Sequence, residues 1–116
     1  MSFVLKIPGQ TPAVHDAVTI FGNTLRVGII RQLYLGKTSR QDISAGLNVS
    51  EVALTRHLSI LVDAGLVTAE IIPGVQGRPV IYTINKEATN ALFETLQAYY
   101  RGADLHIATS GEEEPE

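Results

Sequence analysis

Glu51, Val52, Thr55, Arg56 and Ser59 fall on the outer face of a helical stretch whose inner seam is Leu54, Leu58 and Leu61, with Ser50 as its cap. Threonine and arginine offer hydrogen bonds to base edges or phosphates, and the Val52 methyls suit a thymine methyl. A merely solvated face would hold several Lys and Glu. This one is short, mixed and sparsely charged. Further along, Gln76-Gly77-Arg78-Pro79 lies in a Gly/Pro turn between two β-rich runs. Gly77 removes bulk so that the backbone can approach another surface, Pro79 fixes the chain direction, and Arg78 projects a cation between them. A narrow minor groove concentrates the negative potential that such an arginine exploits. The competing readings are an ordinary exposed helix face and a turn with a solvated arginine. The two features in succession favour double-stranded DNA as the partner.

Five helices and a hairpin are needed to position these groups. Thr11 before Pro12 reads as an N-cap with proline in the first turn, and Val14, Ala17, Val18 and Phe21 recur at helical spacing until Gly22. Asn23 caps a second helix with Leu25, Ile29, Ile30 and Leu33 on one face, ending before Gly36. Ser39 with Asp42 resembles a capping box and starts a short third helix that carries Ile43 inward. Asn48 tolerates the left-handed backbone that a tight inter-helix turn uses. The fourth helix spans Ser50 to Ala64, and Gly65 ends it. Val67 to Ile72 and Val80 to Ile84 read as the strands of a hairpin, and Asn85 caps a last helix running to about Arg101. The expected fold class is mainly α with a small β-hairpin wing: a winged helix-turn-helix of about five helices plus a two-stranded antiparallel wing.

The last helix carries Leu92, Phe93, Leu96, Tyr99 and Tyr100, more apolar and aromatic surface than one terminal helix of a small domain needs. With Val14 and Val18 of the first helix, these residues are the expected dimer interface; the competing reading is that they only cover the domain's own core.

Other chemistry finds little support. The chain has no cysteine, which excludes disulfides, thiol catalysis and thiolate metal sites. His15, His57 and His106 are scattered without helical pairing, no Gly-rich phosphate loop precedes a helix, and no nucleophile–base spacing occurs. No catalytic residue, metal ligand or cofactor is therefore expected. The net charge of -3 is unevenly spread. Five acidic residues and no basic one lie after Gly102, which leaves nine basic and seven acidic side chains in the remainder. The expected organisation is an N-terminal arm at 1–10, one DNA-binding and dimerisation domain at 11–102, and a disordered acidic tail at 103–116. The opening Met1 to Pro8 lacks the features of a signal peptide, and no apolar run reaches membrane-spanning length, so a cytoplasmic protein without a membrane partner is expected.

The stretch Asn23-Thr24-Leu25-Arg26-Val27-Gly28-Ile29-Ile30-Arg31-Gln32-Leu33 resembles the helix that opens ArsR-type winged-helix repressors. Leu54-Thr55-Arg56-His57-Leu58-Ser59-Ile60-Leu61 and Ala64-Gly65-Leu66-Val67 resemble that family's recognition helix and its exit into the wing, and Gly77-Arg78-Pro79 with Tyr82 is similar to its wing. The resemblance runs from Phe21 to Arg101. It implies a homodimeric, sequence-specific DNA-binding repressor that recognises an inverted repeat. Metal-sensing members carry Cys-Val-Cys-Asp-Leu where this chain has Ser39-Arg40-Gln41-Asp42-Ile43, and the stretch from Lys86 to Arg101 has no histidine, so a non-metal-sensing member is implied. His57 holds the family's usual histidine position and is expected to be packed or backbone-bonded rather than ligating; Arg26 is expected to be structural or phosphate-side. Two alternatives stay open: a winged-helix module that binds protein, and a small-molecule-responsive regulator of the multiple-antibiotic-resistance type. The sequence does not identify an effector.

Overall fold

The computed structural model describes residues 7–74, 76–77 and 79–103. The expected acidic tail beyond residue 103 and most of the expected N-terminal arm lie outside them. The elements run α1 (Pro12–Phe21), α2 (Thr24–Tyr34), α3 (Arg40–Leu47), α4 (Glu51–Asp63), β1 (Val67–Ile71), β2 (Val80–Ile84) and α5 (Lys86–Tyr100). The described residues form a winged helix-turn-helix of five helices and a two-stranded antiparallel sheet.

Each helix starts where a side-chain oxygen can replace a missing backbone acceptor. Thr11, Asn23, Ser39, Ser50 and Asn85 all adopt extended backbone and accept from N–H groups of the first turn. The Asp42 N–H, for example, donates to Ser39 Oγ at 3.0 Å. Each such cap stabilises by about 1 kcal/mol. Four of the helix ends carry a left-handed residue: Gly36 after α2, Asn48 after α3, Gly65 after α4 and Gly102 after α5. Asn48, at φ 57°, closes α3 and lets the Val49 N–H reach back to the Ser44 carbonyl at 3.1 Å. Gly65, at φ 79°, does the same for α4, with the Leu66 N–H on the Leu61 carbonyl at 3.0 Å.

β1 and β2 pair in the register Val67↔Ile84 to Ile71↔Val80. Ile72, expected in the first strand, falls just outside it. Its N–H still donates to the Pro79 carbonyl at 3.0 Å, but proline has no N–H to return a bond, and the ladder stops there. The hairpin docks through β2: the Tyr82 N–H donates to the Thr38 carbonyl at 2.8 Å, and Arg40 Nη2 donates to Tyr82 Oη at 2.9 Å.

Ile29, Ile43, Leu54, Leu58 and Leu61 form the centre of the core between α2, α3 and α4, extended by Leu66, Val67 and Tyr82 at the root of the wing. The buried face of α1 is not the whole of the recurring Val14, Ala17, Val18 and Phe21 set. It is Val14, Ala17 and Ile20, whereas Val18 is 48% exposed and Phe21 only half-buried. The helix is turned so that Ile20 reaches the central cluster, and this rolls Val18 out to solvent. Between α1, the C-terminal end of α4 and the first half of α5 lies an open cavity of about 640 Å³.

Candidate nucleic-acid interface

Helix α4 is anchored from beneath. Leu54, Leu58 and Leu61 are at most 1% exposed, which fixes the rotation of the helix about its axis. Burying three leucines contributes about 1.5–3 kcal/mol each. With that face fixed, Val52, Thr55, Arg56 and Ser59 follow at i, i+3, i+4 and i+7 and form one outward stripe, all exposed. Val52 is 84% exposed in the first turn, an apolar side chain that the protomer leaves in water. Glu51 flanks the stripe, also exposed. The Ser50 hydroxyl accepts the Ala53 N–H at 3.2 Å, which leaves it its own O–H to donate and one further lone pair.

Helices α2 and α3, which lie behind the turn into α4, meet closely at two glycines. A Cβ on Gly28 would sit 2.8 Å from Leu47 Cδ2, and one on Gly46 would run into the Gln32 carboxamide. Both glycines lie inside helices, where they cost about 1 kcal/mol each relative to alanine. That cost was the one sequence-level signal of this contact, and sequence reasoning passed over it.

Arg26 is 7% exposed, and its Nη1 donates to the Thr19 carbonyl, which ties α2 to the end of α1. It is a structural residue. Arg26 Nε and His57 Nδ1 are both buried without a hydrogen-bond partner in the protomer. Burial holds His57 below its ordinary pKa of 6.5, and the cations of Arg26 and Arg56 push the same way. The imidazole is a packed side chain, as its position in the resemblance implied. Among the described residues, no three His, Cys, Asp or Glu side chains gather as a metal site would require.

In the wing, Gln76 and Gly77 are exposed in a turn, with Gly77 at φ 83°. Arg78, the proposed wing-tip cation, lies outside the described residues, as does Val75.

The expected interface residues divide. Val14 is 3% exposed and spends its surface within its own protomer, so it has little left for a partner. Val18, Phe93 at 44% and Tyr100 at 61% are exposed, while Leu92, Leu96 and Tyr99 are half-buried. Phe21 packs edge-on against Phe93 with ring centroids 5.3 Å apart, and Gln10 Nε2 donates to Tyr99 Oη at 3.0 Å. The Arg40–Tyr82 and Arg26–Thr19 bonds were not foreseen; each joins two different elements and has no local signature.

The family model described as bacterial regulatory protein, arsR family, matches residues 23–69, from the cap of α2 into β1. Among curated proteins, no relative matches the chain. Several solved structures are similar. HlyU from Vibrio cholerae is 22% identical, with a TM-score of 0.58 over 80% of this chain and 98% of its own. The homodimeric winged helix-turn-helix DNA-binding domain of Mb0332 from Mycobacterium bovis is 21% identical, with a TM-score of 0.57 over 86% of this chain and 95% of its own. NadR in complex with 4-hydroxyphenylacetate is 22% identical, with a TM-score of 0.51 over 92% of this chain and 84% of its own. At these identities the likeness speaks for the fold. The matched family is one of regulators rather than enzymes. No helix among the described residues is long and apolar enough to cross a membrane.

Proposed function

From the ArsR-family winged helix-turn-helix that residues 23–69 carry, we propose that this DNA-binding transcriptional regulator works as a homodimeric repressor on an inverted-repeat operator. Helix α4 lies in the major groove of each half-site. Val52, Thr55, Arg56 and Ser59 face the base edges, with Ser50 and Glu51 at the leading turn. Gln76, Gly77 and Arg78 of the wing border the adjacent minor groove, where an arginine reads groove shape or phosphate rather than a unique base pattern. The single observation that carries this reading is the α4 stripe: polar, singly charged, and headed by a valine left 84% in water at the tip of a helix fixed from below.

The homodimer is supported by the exposed Val18, Phe93 and Tyr100 surface on α1 and α5, and by the homodimeric Mb0332 domain of similar fold. A two-fold dimer presents two α4 helices to successive major-groove faces and so reads two half-sites. The repressor assignment rests on the family resemblance. Selection of duplexes from a random pool tests the whole reading. The expected result is an inverted repeat with half-site centres about one helical turn or a multiple of it apart; a pool that stays random overturns it.

A small-molecule-responsive version of the same regulator has its own support in the cavity of about 640 Å³ that touches the C-terminal end of α4, and in NadR, a protein of similar fold that holds 4-hydroxyphenylacetate.

A further inference from the structure

The cavity between α1, α4 and α5, at about 640 Å³, falls within the size range of small-molecule sites. Its floor is apolar: Ile20 and Leu66 are buried, and Ile60 and Leu92 are half-buried. Its rim is acidic. Asp16 projects from α1 and Asp63 is the last residue of α4, with the Thr19 and Thr95 hydroxyls alongside, and no Lys, Arg or His is among the described residues that line it. We propose that this cavity binds a hydrophobic organic cation, an ammonium or amidinium on an aromatic or branched aliphatic body, and that its occupancy lowers affinity for DNA. The effect on DNA rests on the ligand-responsive reading above; the binding itself does not.

Charge and shape select this class. A cationic head gains a charge-assisted hydrogen bond from a rim carboxylate, Asp16 or Asp63, both exposed, while the apolar floor takes the body out of water. An aryl acid would meet two like charges at the rim. A metal ion would find two carboxylates and, among the described residues, no third acidic or imidazole ligand gathered with them. A second copy of the chain has a different surface to cover. On α5 the lining residues Ala88, Ala91, Leu92 and Thr95 recur at i, i+3, i+4 and i+7, and on α1 Asp16, Thr19 and Ile20 recur at i, i+3 and i+4. Val18, Phe93 and Tyr100 project from the other side of those helices, so a partner seated on the exposed aromatic face leaves the cavity open.

The coupling is geometric. Helix α4 packs on α2, α3 and β1, while α1 packs on α5. The cavity is where the end of α4 faces that α1–α5 layer, and Ile60, Asp63 and Ala64 form its α4 wall. Thr19, on the opposite wall, also accepts the Arg26 hydrogen bond that ties α2 to α1. A bound body in this space shifts α4 against the layer that sets the distance between the two DNA-reading helices of a dimer.

The test titrates the full chain with phenethylamine and benzamidine, and with phenylacetate and 2-phenylethanol as anionic and neutral counterparts, reading the methyl NMR signals of Ile20, Ile60, Leu66 and Leu92. The two cations are expected to shift these methyls saturably and the counterparts to leave them in place. An Asp16→Asn, Asp63→Asn double variant is expected to weaken cation binding about tenfold or more with an unchanged melting temperature. Silence from both cations, equal shifts from phenylacetate or 2-phenylethanol, or full affinity in the double variant would each overturn the assignment. Shifts confined to dilute, monomeric protein would give the cavity to a second copy and overturn it too. With a selected operator duplex, saturating phenethylamine is expected to weaken DNA binding several-fold, and an unchanged affinity would sink the coupling. If the random pool yields no preferred duplex, it is the regulator reading that fails, and the methyl shifts still decide the cavity.

Discussion

Helices α4 and α5 are of similar length and both carry abundant apolar side chains, yet they bury them to opposite degrees. In α4, Leu54, Leu58 and Leu61 are sealed in the core. In α5, Thr89 alone is buried, although the helix holds Leu92, Phe93, Leu96, Tyr99 and Tyr100. The ties of α5 to the rest of the protomer include polar and peripheral ones: Tyr34 Oη donates to Asn90 Oδ1 at 3.0 Å, the Lys86 ammonium lies 5.6 Å over the Tyr34 ring, and Gln10 reaches Tyr99. A helix that must present one face at a fixed angle is held by dense packing on the other. A helix that leaves aromatic surface in water has the composition of one completed by a partner. In the proposed reading, the contrast separates a presenting helix from an assembling one.

The contrast breaks most readily at its buried end. Leu58→Ala should cost about 2–5 kcal/mol of stability, because the side chain lies among Leu54, Leu61 and their neighbours with no room to collapse. Chemical denaturation followed by circular dichroism measures it, and a loss below about 1 kcal/mol would mean that α4 is less firmly anchored than its burial indicates.

Phe93→Asp should instead leave most of the protomer's secondary structure in place while dissociating the dimer at micromolar concentration, since a partner would have to bury an unpaired carboxylate. Sedimentation of the unmodified chain as a monomer, or of the variant as an intact dimer, would remove α5 from its assembling role.

Within the presenting helix, Arg56→Ala should relax base preference by about 1–3 kcal/mol at one operator position if its contact is bidentate. Competition between operator and point-mutated duplexes reads this directly. Equal weakening on every duplex would reassign Arg56 to the phosphate backbone. Arg78→Ala sharpens the comparison from the wing. It should weaken all sites alike and lower the salt slope of binding by about one counterion unit, measured by titration across salt concentrations. An unaltered slope would remove the wing from the interface.

The smallest expected effect concerns His57, on the inner flank of α4. Its native pKa lies below 6.5, chiefly through burial and then through Arg26 and Arg56. The unfolded chain therefore takes up a proton more readily than the native ring. The stability that the neutral ring contributes is complete above 6.5 and is lost as pH falls below it toward the lowered native value. His57→Gln should flatten the fall in melting temperature between pH 7.5 and 5.5 (about one unit either side of the histidine reference value). Parallel curves for the two proteins would show that other groups govern that range.

Much of this molecule was legible before any coordinates. Thr11, Asn23, Ser39, Ser50 and Asn85 mark helix starts because capping is a local hydrogen bond between residues two or three apart. Asn48 and Gly65 mark helix ends because few residues accept a positive φ. The Leu54-Leu58-Leu61 seam set the orientation of α4 by periodicity alone, and with it the outward stripe from Val52 to Ser59. Where reading failed, two or more elements had to agree. Val18 and Ile20 both suit a helix face, and which of them turns inward was decided by how α1 settles on its neighbours. Val14 looked available to a partner until α1 was placed.

Local chemistry thus wrote the element boundaries, the turn and the amphipathic faces, since capping, left-handed backbone and helical period act over a few residues of chain. Tertiary packing alone decided the Arg26 tie to Thr19, the close α2–α3 contact at Gly28 and Gly46, the Arg40–Tyr82 bond that moors the wing, and the acid-rimmed cavity of Asp16 and Asp63. Each of these joins groups from different elements, and no pattern along one segment encodes the distance between two.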